Sequence, residues 1–188
     1  MRGEITLTDA IYDEGEHTKT VFAHFGRAYY MANVFETGLA LAIVQLEFLT
    51  GVTDRIRREG HKTFDRRRYE ADFDAFMERQ HAQTLGNLLK RVSGCVVLPA
   101  DLRTLITEAK AKRDFLAHHY FRERAELFAR RRGRDQMIEE LDAAMAAFAA
   151  ADTALETFLE PHRSSLGLTK ERFEARVVEY LKSLRDED

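Results

Sequence analysis

The chain has 188 residues, enough for one ordinary domain, and its 45% hydrophobic content can fill a core. Its single cysteine, Cys95, excludes an internal disulfide framework and four-cysteine zinc sites, and its apolar neighbours Val96, Val97 and Leu98 predict a buried thiol. The net charge of −3 argues against wholesale nucleic-acid binding but hides a segregation. Arg55 to Arg68 carries seven Lys/Arg against Glu59 and Asp65, and Lys110 to Arg134 carries nine against Asp114, Glu123 and Glu126. From Asp135 onward acids outnumber bases thirteen to six.

In chain order, residues 1–17 are polar, contain Gly3 and Gly15, and read as an irregular arm. Thr18 or Thr20 opens a helix whose apolar positions, Phe22, Phe25, Tyr29, Ala32, Phe35, Leu39, Ile43, Leu46 and Leu49, recur at gaps of three and four. Gly51 is its expected end. Thr53 to Arg66 is basic, lacks an apolar period and reads as a loop or an exposed turn of helix. A second helix is expected from about Arg67 to Val92, closed by Ser93-Gly94. Pro99-Ala100-Asp101 is a start signal for a third, carrying Leu102, Leu105, Ile106, Ala109, Phe115 and Leu116. Gly133 is the expected breaker after Arg130-Arg131-Arg132. A fourth, alanine-rich helix spans about Asp135 to Leu159 and stops before Pro161. Thr169 opens a last helix with Phe173, Val177, Leu181 and Leu184. No convincing strand alternation occurs. The reading is therefore all-α: an antiparallel four-helix up-and-down bundle over residues 18–160, with an extra C-terminal helix, 161–188, packed on it. No unbroken apolar run of about 20 residues and no basic-then-apolar leader pattern are seen, so no membrane association and a cytoplasmic location are expected.

The chemically informative stretch runs from Lys112 through Arg113, Asp114, His118, His119 and Tyr120 to Arg122. Histidine titrates near pH 6.5 and can move a proton at neutral pH. Arginine stays cationic and presents a fork of donors matched to phosphate oxygens. The pair suits phosphodiester cleavage, one group moving a proton and the other stabilising charge at phosphorus. If His118 acts so, activity should vary between roughly pH 5.5 and 8. On a regular helix Arg113 and His118 point about 140° apart, so one copy of the helix does not aim both at one atom. A two-fold dimer that sets one chain's arginine beside its partner's histidine solves this.

Arg113, four residues, His118, one residue, Tyr120 resembles the R-x4-H-x-Y signature of the HEPN superfamily (higher eukaryotes and prokaryotes nucleotide-binding domain). The likeness extends to Thr84-Leu85-Gly86-Asn87-Leu88-Leu89 upstream, and covers about Thr18–Leu159. It implies a homodimeric, metal-independent endoribonuclease without cofactor, cleaving RNA by 2′-hydroxyl attack, often in toxin–antitoxin or defence systems with an antitoxin or nucleotidyltransferase partner. By this resemblance Arg113 would stabilise the scissile phosphate and His118 would act in acid–base catalysis. Asp114 is the polar residue after the arginine, Tyr120 the motif tyrosine that a partner modifies in some relatives, and His119 fills the variable position. The resemblance equally admits an inactive binding or scaffold module for RNA, nucleotide or protein.

Other readings stand beside these. Arg66, Arg67, Arg68, Arg122 and Arg124 are candidate RNA contacts, or solvated charges. Arg113 could simply pair with Asp114 or Glu108 on a helix surface, and Tyr120 and Phe121 could serve packing. A di-iron bundle needs two Glu-x-x-His pairs and two further carboxylates. Glu78 with His81 supplies one pair, Glu14 with His17 falls in the arm, and Glu47 leaves the set incomplete, so no metal site is expected. Without a glycine-rich phosphate loop, nucleoside-triphosphate hydrolysis has no support.

Overall fold

The computed structural model describes residues 12–61 and 64–169, and isolated positions 171, 172, 175, 178, 179 and 182. Among the described residues the chain is all-helical, with no strand. Helix α1 (Glu14–Ile43), a π segment (Val44–Leu49) and α2 (Thr50–Glu59) follow one another without a break. Then come α3 (Arg66–His81), α4 (Leu85–Cys95), α5 (Ala100–His118), two single turns, α6 (Tyr120–Glu123) and α7 (Ala125–Phe128), and finally α8 (Arg131–Ser165).

Two compact units are distinguishable, one combining Met1–Asn33 with Thr107–Ala149, the other Val34–Ile106 with Ala150–Asp188. The first buries Val21, Ala28, Ala109, Leu116, Tyr120, Met137, Leu141 and Phe148. Each large side chain removed from water contributes about 1.5–3 kcal/mol. The cluster Phe22, Phe25, Phe115, Tyr120, Phe121 and Phe128 adds tilted and edge-on ring contacts, the nearest being Phe25 to Phe121 at 4.8 Å. Arg134 is buried here, its Nη1 donating to the Phe128 carbonyl (2.7 Å) and its Nη2 to the Tyr12 hydroxyl (2.5 Å).

The second unit is built on Phe35, Leu39, Ile43, Phe76, Leu85, Leu88, Val92, Leu102, Ile106, Leu155 and Leu159. Its polar centre is Arg91. Nε and Nη2 donate to the two oxygens of Glu47, with Nε to Oε1 at 2.7 Å, and Nη1 donates to Gln80 Oε1 at 2.9 Å. Gln80 is buried and spends its own amide on the Phe76 carbonyl, so its polarity is satisfied. The π segment carries Glu47 into this network and sets the Gln45 carbonyl against Thr50 Oγ1 (3.0 Å) and His162 Nε2 (3.2 Å).

Several sequence expectations are corrected. Residues 14–17 belong to α1, so the arm is shorter than 1–17 at its inner end. Gly51 does not end the first helix; α2 passes through it and ends at Gly60, whose φ of +85° is the conformation glycine adopts freely. The expected Arg67–Val92 helix is two helices. Thr84 is extended and its Oγ1 caps Asn87 N (3.4 Å), opening α4, while Asp65 caps α3. Gly133 breaks nothing. It lies inside α8, where a Cβ would overlap the Leu127 backbone, so its smallness serves close approach. Pro161 sits within α8, which runs on to Ser165 and crosses the expected boundary between 160 and 161. The predicted last helix falls largely outside the described residues. Cys95 is exposed rather than buried, its Sγ 3.3 Å from Glu47 Oε1. Finally, the helix Glu14–Glu59 contains an 18-residue stretch apolar and long enough to cross a membrane by length and composition, of which 33% is buried in the fold. The core helix of a soluble protein meets the same criterion, so the expectation stands uncorrected on this point.

Candidate functional site

Helix α5 positions the motif. Leu102, Ile106, Ala109 and Leu116 are spaced by three, four and seven, which turns them to one buried face. Lys110, Arg113 and Asp114 thereby fall on partly exposed surface. Asp114 accepts from Lys110 Nζ at 2.6 Å and from Arg113 Nη1 at 3.2 Å. The lysine first, then the arginine, hold its carboxyl below the ordinary value. The surface-pair reading of Arg113 is thus realised with Asp114.

The helix ends at His118. His119 takes φ −130° and ψ −26°, outside helical values, and the chain restarts as the single turn Tyr120–Glu123. This break separates the motif's residues by environment. His118 and His119 are exposed, with ring centroids 6.2 Å apart. Arg122 Nη2 lies 2.6 Å from His119 Nδ1, which must accept, so this geometry requires the Nε2–H tautomer. Tyr120 turns the other way. It is 1% exposed, its hydroxyl donates to the Met137 carbonyl at 3.0 Å, and burial pushes its phenol well above the ordinary value. Of its two readings, packing is what the geometry displays, and no phenolic oxygen is open to a modifying enzyme in this conformation.

Arg113 and His118 stand five residues apart on α5, so the helix sends them about 140° apart. Among the basic candidates, Arg124 is committed to structure. Nε and Nη2 grip both oxygens of Glu140 (2.8 and 2.5 Å), and the guanidinium lies 4.8 Å from the Phe115 ring centroid. Arg122 is exposed. Arg66, Arg67 and Arg68 belong to the other unit; Arg66 pairs with Glu70 at 2.8 Å and Arg68 approaches Asp72 at 3.8 Å. There Arg55 and Arg68, with Ile56, Phe64, Glu59 and Asp65, line a pocket of about 270 Å³ whose charges are mixed.

Two polar centres escape sequence reasoning, Arg134 with Tyr12, and Arg91 with Gln80. The available signal was a polar residue at core spacing: Gln80 stands four after buried Phe76, and Arg134 three before buried Met137. Glu47 serves Arg91, and partial desolvation of the otherwise exposed Cys95 side chain together with Glu47 raises its thiol, so this cysteine sits in an acidic rather than activating setting. Among the described residues no three His, Cys, Asp or Glu side chains group in a way that could hold a metal ion. No protein-family model, curated protein or solved structure matches this chain.

Proposed function

We propose that this chain is a HEPN-like, metal-independent endoribonuclease of the cytoplasm, working as a homodimer with Arg113 and His118 as its catalytic pair. The observation that carries this reading is the break after α5, which leaves the His118 imidazole exposed at the end of the helix that bears Arg113. In the proposed reaction His118 takes the proton of a ribose 2′-hydroxyl as that oxygen bonds to phosphorus. The bond to the 5′ oxygen breaks, that oxygen is protonated, and a 2′,3′-cyclic phosphate remains. Arg113 supplies the cation that stabilises the charge at phosphorus, with Lys110 held beside it through Asp114. Because the two groups diverge on one helix, a partner's copy would complete each site. A role in a toxin–antitoxin or defence system belongs to the same proposal.

A second reading, a non-catalytic module that binds RNA, nucleotide or protein, draws on the engagement of Arg113 with Asp114 and on the burial of Tyr120. Incubation of the purified chain with mixed RNA in chelator separates the two. Cleavage insensitive to chelator and reduced by about 10²–10⁴ in His118→Ala, with a comparable loss in Arg113→Ala, supports the nuclease. Absence of cleavage by clean wild-type protein favours the binding module.

A further inference from the structure

Along α1, Phe22, Gly26 and Tyr30 stand at intervals of four and form one exposed row. Phe22 is 50% exposed and Tyr30 66%, unusual for rings of this size in a unit with a well-filled aromatic core. Gly26 between them is unexplained by the fold. Its φ is not positive, and nothing lies within 4 Å of where a Cβ would stand. Glycine is nonetheless among the most costly residues in a helix interior. Its effect is a notch between two rings, in which a flat group can approach the helix backbone. Arg27 flanks the notch, exposed and without a hydrogen bond or ion pair among the described residues. No acidic residue occurs from Thr20 to Phe35. One side of the Phe22 ring is held by Phe121 and Phe128, at 5.5 and 5.6 Å, and Phe121 is the third residue after His118.

Exposed rings beside an uncommitted cation, on a helix stretch that itself carries no acid and meets the exposed Asp142 at His24 (2.6 Å), match the chemistry of a single strand. Unpaired bases offer flat faces to aromatic side chains, and the backbone offers phosphate to arginine. We propose that Phe22, Gly26 and Tyr30, with Arg27, form a stacking platform for unpaired bases of single-stranded RNA, next to the segment that carries His118. The inference rests on RNA being the ligand of the motif, and it adds a binding surface on α1 outside that motif.

The test is fluorescence anisotropy with a labelled, unstructured oligoribonucleotide on the full chain carrying His118→Ala, so that the probe stays intact. Tyr30→Ala and Phe22→Ala should each weaken binding roughly five- to a hundredfold. Gly26→Gln fills the notch in open space and improves helix propensity. It should weaken binding while leaving the melting temperature unchanged or raised, the opposite of a folding defect. Arg27→Gln should lower the slope of log K against log salt by about 0.7. A duplex of the same sequence should bind more weakly than the single strand. The platform is overturned if Tyr30→Ala and Gly26→Gln bind within twofold of the parent, even where wild type cleaves RNA and the nuclease reading survives. It is also overturned if the parent binds no RNA at low salt, or if the variants change only the oligomeric state, which would assign the row to a protein contact. RNA binding lost in the variants while wild type fails to cleave would keep the platform and remove the nuclease.

Discussion

Among the described residues, the π segment and the break after α5 depart from regular helix geometry, and the fates of their polar groups differ. In the π segment Val44–Leu49 the backbone carbonyl and the carboxylate are consumed by the fold: the Gln45 carbonyl faces Thr50 and His162, and Glu47 is gripped by Arg91, while the buried Gln45 Oε1 has no hydrogen-bond partner among the described residues. At the break after α5 only half of the disturbance is consumed. Tyr120 is buried and bonded to Met137, while His118 and His119 stay in solvent. A helix defect whose carbonyl and carboxylate are bonded within the fold is accounted for by architecture. One that leaves two imidazoles outside, at the end of a helix bearing Arg113, is the feature on which the proposed function rests.

The contrast can be broken most forcefully at Tyr120. Tyr120→Ala should cost about 3–5 kcal/mol in denaturant unfolding, as expected for a large buried ring. Tyr120→Phe should cost about 1–2 kcal/mol, since only the bond to the Met137 carbonyl goes. A Tyr120→Phe variant as stable as wild type would remove the anchor from the account. At the π segment, Arg91→Ala should cost about 1–3 kcal/mol, a range reduced by the partial exposure of both partners.

A weaker signature lies in acid. Arg91 first, by its hydrogen bond, holds the Glu47 carboxyl below its ordinary value of 4.5, and Lys110 first does the same for Asp114. As pH falls below the ordinary carboxylate range the unfolded chain binds these protons before the native one. The stabilisation is therefore present above that range and lost as pH drops through the depressed values. Unfolding midpoints measured between about pH 5 and 3 should fall, and Arg91→Ala should flatten that decline. The smallest effect belongs to the exposed side of the break: His119→Ala should change stability by less than about 0.5 kcal/mol. A larger loss would mean that His119 is as structural as Tyr120.

The sequence made the helical class legible because Phe35, Leu39 and Ile43, and Leu102, Ile106 and Ala109, repeat at helical spacing and are buried. Punctuation was harder to read. Gly51 and Gly133 look like stops, yet one is tolerated in a continuous helix and the other is required by contact with Leu127. Thr84, which does start a helix, resembles any helical threonine until its extended backbone is known. For the candidate site, residue type pointed to Arg113 and His118, but the break at His119 has no glycine or proline to announce it. Whether a motif residue faces core or solvent is decided by that break, as Tyr120 illustrates.

The central claim, that each site draws its arginine and histidine from different subunits, is tested most directly by mixing two inactive proteins. Arg113→Ala and His118→Ala homodimers are combined under conditions of subunit exchange and assayed on RNA. Half of the dimers are then mixed, each with one intact site of two, so activity should return to about a quarter of wild type. Wild-type cleavage with no recovery in the mixture would contradict the shared site.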